Sequence, residues 1–125
     1  MKDKANKFFV DAINKLNLAS AELNRPEEDV VTYSVCKNSQ LAIENYLKGY
    51  LLQNSIEASN YKSIDILFDQ CVKVNENFKK VNLSDLRCQS HKIDSTYCNE
   101  VSRVINCHSI ADKLDAFLRE EKIIG

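Results

Sequence analysis

The chain has 125 residues, enough for one domain that buries roughly two thirds of its unfolded surface. Two glycines and one proline leave too little turn chemistry for an all-β fold, and 44% hydrophobic with 28% charged residues excludes a disordered chain. A net charge of −1 supplies no global positive field for a polyanion, which argues against a nucleic-acid-coating protein and leaves room only for a local basic pocket.

The start, "MKDKANKFF", is charged and then amphipathic, with no apolar signal core, so a cytoplasmic address is expected. From Asp3 to about Asn24, the residues Phe9, Ala12, Leu16, Ala19 and Leu23 recur at steps of three and four. That spacing lays one apolar stripe along a helix. Pro26, in "NRPEED", disfavours helix at Arg25, and the acids after it suit the first turn of a new helix.

The second helix is expected from roughly Glu27 to Gln53. Val35, Cys36, Ser39, Ala42, Ile43, Tyr46, Leu47 and Tyr50 share one broad face, with Lys37, Glu44, Asn45 and Lys48 on the other. Tyr33, Tyr46 and Tyr50 follow one side, which points to core packing or a dimer face. Tyr50, Leu51 and Leu52 widen the apolar surface beyond what one small bundle covers, so a symmetric homodimer is expected.

After a polar connector, Ser63 suits the N-cap of a third helix reaching about Lys80, with Ile64, Leu67, Phe68, Cys71, Val74 and Phe78 as its stripe. Ser84 suits the cap of a short helical turn near Asp85–His91. "HKIDSTYCN", which carries Tyr97, is the most irregular stretch and a place where sites gather. A last helix from about Asn99 to Lys122 has its seam at Val104, Cys107, Ala111, Leu114 and Leu118. No apolar run approaches the ~20 residues that span a bilayer. Five cysteines, an odd number, with Cys36, Cys71 and Cys107 on apolar faces, fit buried reduced thiols. The elements together predict an all-α fold, an antiparallel up-and-down bundle of four to five helices forming a single domain over residues 1–125. The second and last helices are its expected central pair.

The run "SVCKNSQLAIENYLKGYLLQN", Ser34 to Asn54, resembles the second helix of HEPN domains, whose pattern "A-x-E-x-x-L-K-x-x-L" is matched by Ala42, Glu44, Leu47, Lys48 and Leu51. "SIDILFDQC" stands where that family has "T-H-x-L-x-x-L", and Ser63 takes the place of its histidine, so a role tied to that histidine is absent. The first helix and "ADKLDAFLREE" follow the same layout, and the resemblance covers nearly the whole chain. It implies a small helical bundle that dimerises. It also implies pairing with a minimal nucleotidyltransferase in a toxin–antitoxin-like couple, nucleotide binding in some members and RNA cleavage in others.

Arg103 and His108 match the arginine–histidine spacing on a late helix that the cleaving members of this family use. A near-neutral histidine can move the proton of a 2′-hydroxyl and an arginine can hold the scissile phosphate, which needs no metal. The flanking residues differ: Val104 and Ile110 stand where the active pattern has a polar and an aromatic residue. Five helical steps of ~100° also set the two side chains roughly 140° apart, so a dimer mate would have to bring them together. A solvated arginine and an edge histidine near Asp112 is therefore the favoured reading, with the catalytic pair as the alternative. Glu44, Lys48 and Tyr97 are the candidates for nucleotide contact. Cys88, His91, Cys98, Cys107 and His108 lack the paired knuckles of a zinc site, and neither metal nor cofactor is expected.

Overall fold

The structure is a computed structural model; it describes residues 2–58, 61, 63–81 and 101–124, and the side chains of all of these except 2, 27 and 101–104. Helix α1 spans Lys2–Leu23 and buries Phe9, Ala12, Leu16 and Ala19 of the expected stripe and Ala5 besides, with Leu23 partly buried against the core. Past it, Glu27–Asp29 forms a single 3₁₀ turn, and α2 spans Thr32–Gln53. The second helix thus starts five residues later than expected (Thr32 in place of Glu27). Its N-cap, Val31, is extended and offers no side-chain cap. The Glu22 carboxylate instead holds the cap residue in place, receiving the Val31 N–H at 3.0 Å and Arg25 at 3.0 Å.

Helix α2 is the hub. Only Lys37 and Gln53 on it are exposed, and eleven of its residues are buried. Its most extensive partner is α1, ahead of α4 and then α3, whereas the last helix was expected in that place. Gly49 is one place where α1 and α2 pack closely. A β-carbon there would come within 2.8 Å of Phe9 Cε1 and 3.2 Å of Phe8 Cβ, so the missing side chain is what lets α1 approach. Tyr50, Leu51 and Leu52 are at most 6% exposed within this single chain. The apolar surplus read there as a partner face is absorbed by the bundle itself.

Helix α3 spans Ile64–Val74, and its cap is the expected one: Ser63 Oγ accepts the Ile66 N–H at 3.2 Å. It does not run on to Lys80. Asn75 is extended, and its side-chain oxygen takes the Asn77 N–H at 3.0 Å, turning the chain into a 3₁₀ helix over Glu76–Lys80. The turn drives Phe78 into the core, with ring centroids 4.6 Å from Tyr50 and 4.8 Å from Phe117. Helix α4 spans Val101–Glu120 and buries Cys107, Ile110, Ala111, Leu114, Phe117 and Leu118. Beyond it Lys122 takes a positive φ of 61°, the Ile123 N–H returns to Leu118 O at 2.8 Å, and Ile123 and Ile124 fold back on the core.

Four α-helices and no strand are present among the described residues, which makes the chain all-helical. None of these helices is long and apolar enough to cross a membrane. Cys36, Cys71 and Cys107 are buried and outside any disulfide. The helical turn expected at Asp85–His91 and the irregular stretch with Tyr97 lie outside the described residues.

Candidate functional site

His108 projects from the flank of the α4 seam, one residue past the fully buried Cys107. Its ring is half-buried, and Nε2 lies 2.7 Å from the Ser20 hydroxyl on α1, a residue 88 positions away. The expected edge histidine is thus held by a neighbouring helix. Burial pulls its proton affinity below the ordinary histidine value, and the Asp112 carboxylate one turn on opposes this. The imidazole is therefore neutral at physiological pH. Its Nε2 accepts the Ser20 O–H or donates an N–H to the Ser20 oxygen, according to tautomer.

Arg103 lies in the first turn of α4, and its side chain is outside the described residues. The backbone sets it five residues before His108 on one helix, the roughly 140° offset that regular α geometry dictates.

Glu44 and Lys48 pair with each other across one turn of α2, Nζ to Oε1 at 2.7 Å. Their side chains are 33% and 21% exposed, so this flank of α2 is mostly covered. Tyr97, their expected companion, lies outside the described residues, as do Cys88, His91 and Cys98. Of the three tyrosines on α2, Tyr46 and Tyr50 are core residues, and Tyr33 carries the Lys37 ammonium 5.8 Å above its ring.

A second polar constellation was not foreseen. Tyr46 is fully buried, and its hydroxyl donates to Asp115 Oδ1 at 2.5 Å, while Arg119 Nε donates to Asp115 Oδ2 at 2.8 Å. Burial first, and then this bond to a carboxylate, push the phenol far above its ordinary range. A hydroxyl that holds its proton so firmly is a fixed donor and joins α2 to α4; it does not serve as an acid or base. Neither Ser20–His108 nor Tyr46–Asp115 has a local signature, because each joins residues far apart in the chain. Only the tyrosine's need for a hydroxyl partner was legible beforehand.

The chain matches the family model of the HEPN domain over residues 4–120. No curated protein and no solved structure matches it.

Proposed function

The chain belongs to the HEPN domain family, and from that premise we propose that it is a non-catalytic binding module, the helical partner of a minimal nucleotidyltransferase in a toxin–antitoxin-like pair. The observation that carries this reading is the engagement of His108 within its own bundle. Its Nε2 is committed to Ser20, and five α-helical steps set the backbone positions of Arg103 and His108 roughly 140° apart around α4. A catalytic pair in one chain needs the opposite arrangement, two groups converging on one phosphate. In this reading the protein is a single cytoplasmic domain with an up-and-down antiparallel course. The approach of Phe9 to Gly49, and the Glu22 bond to Val31 at the other end of the same helix pair, support that course. It works as a homodimer, and a nucleotide meets it at Glu44 and Lys48, whose present mutual pairing a phosphate would have to replace.

The test is co-expression with the nucleotidyltransferase encoded beside it. The two are expected to co-purify, and the His108→Ala chain is expected to do so equally. A chain that stays apart from the transferase under all conditions ends this reading.

One observation favours a second reading, a metal-independent ribonuclease acting across a dimer. Burial keeps His108 neutral, the form in which a general base works, and it shares α4 with Arg103. Mixed RNA incubated with the protein and a chelator separates the two. The binding-module reading expects no cleavage, whereas the ribonuclease reading expects cleavage that Arg103→Ala and His108→Ala each abolish without unfolding the chain.

A further inference from the structure

We infer that a cleft between the first half of α1 and the end of α2 binds a small phosphate monoester carried on a flat apolar ring, with Lys4 and Lys7 holding the phosphate. The cleft has a volume of about 420 Å³ and is lined by Lys4, Lys7, Phe8, Asp11, Leu52 and Glu57. That size falls within the range of small-molecule sites, roughly 300–1,000 Å³. Its floor is apolar, with Leu52 only 4% exposed and Phe8 half-buried against the core. Its rim is charged.

Lys4, Lys7, Phe8 and Asp11 stand at offsets of zero, three, four and seven residues along α1. Such offsets bring all four to one helix face, with the two ammonium stems side by side. Lys7 and Asp11 have i,i+4 spacing and still do not pair. Among the described residues neither lysine makes an ion pair or hydrogen bond, in contrast to Lys48, Arg25 and Arg119, which all hold carboxylates. The lysines also crowd the positive end of the α1 macrodipole, where Asp3 is the one acid of the first turn. Two unpaired cations placed against that dipole are relieved by a bound dianion. A phosphate monoester is the small group that answers two lysines at once. Asp11 and Glu57, the two acids of the lining, oppose the phosphate's charge on their side of the cleft, so the phosphate belongs at the lysines. The acids disfavour a second anionic group and suit hydroxyl or amino donors on the ring. None of these residues belongs to the Arg103–His108 or Glu44–Lys48 readings, so this inference stands whether or not either of those does.

Amide-resolved NMR titration of the full chain tests it, with phenyl phosphate and AMP as ligands and inorganic phosphate and phenol as their halves. Both esters are expected to shift amides within residues 4–11 and 52–57, and each half to bind more weakly. A Lys4→Gln/Lys7→Gln double variant is expected to lose about tenfold or more in affinity for both esters, since two charge-assisted bonds go. Its melting point should hold or rise, because positive charge leaves the positive end of a helix. AMP binding much more tightly than phenyl phosphate identifies a nucleotide as the source, and equal binding identifies ring phosphates in general. No shift from either ester at millimolar concentration overturns the proposal. So does binding that survives in the double variant, or inorganic phosphate binding as tightly as the esters.

Discussion

His108 is held in its neutral form by burial, against the pull of the Asp112 carboxylate. An unfolded chain binds a proton at that ring near the ordinary value of 6.5, and the folded chain only at lower pH. Stability carried by the neutral ring is therefore complete above about 6.5 and is lost as the pH falls through the lower folded-state value. Urea denaturation from about pH 7.5 down to about pH 5 should show a decline that is steeper for the wild type than for His108→Gln. Parallel profiles would remove His108 from the account. At Tyr46 the asymmetry of buried hydrogen bonds decides which partner matters more. Tyr46→Phe leaves Asp115 its Arg119 partner and some solvent, for a cost of about 1 kcal/mol. Asp115→Ala strands a hydroxyl on a fully buried ring, for about 1–3 kcal/mol. Denaturant midpoints of the two variants should fall in that order; the reverse order would mean that Arg119 and solvent do not satisfy Asp115.

Among the helix pairs, α1 on α2 dominates, and at Gly49 the two pack too tightly for a β-carbon. Alanine there gains helix propensity, about 1 kcal/mol. It also drives a methyl group to 2.8–2.9 Å from the Phe9 ring, which is 4% exposed and has little room to turn, and to 3.2 Å from Phe8 Cβ. Overpacking of this kind costs about 1–3 kcal/mol. Gly49→Ala is therefore expected to lower the melting point despite its better propensity, and a raised melting point would show that the interface gives way. Helix periodicity exposed both stripes of this pair, and Ser63 announced the start of α3. The starts and stops that failed were those set by side chains reaching across the fold. Glu22 captures the Val31 N–H, and Asn75 breaks what apolar spacing alone carries on to Lys80.

For the molecule as a whole, the oligomeric state is the open prediction. Tyr50, Leu51 and Leu52 no longer argue for a dimer, being buried within the chain. The apolar side chains left outside include Val10 at 55%, Leu18 at 53% and Ile105 at 46% exposed, on α1 and α4. For the proposed homodimer, light scattering at micromolar concentration should give twice the 14.3 kDa chain mass. Leu18→Glu with Ile105→Glu should return it to one chain mass if α1 and α4 form the face. A wild type of one chain mass would end the dimer.

The amino-acid sequence by itself determined the helical class, the stripes at Phe9–Leu16, Val35–Leu47 and Cys107–Leu118, the buried thiols and the family resemblance. All of these rest on periodicity and composition, which are local properties of the chain. Only the tertiary structure decided that α1, and not the last helix, is the main partner of α2. It also decided that His108 is tied to Ser20 and Tyr46 to Asp115, and that Lys4 and Lys7 overlook an apolar cleft beside Leu52. Each of those facts depends on which helix faces come together. That choice is made by packing, as at Gly49, and by bonds between residues far apart in the chain, neither of which leaves a local pattern to read.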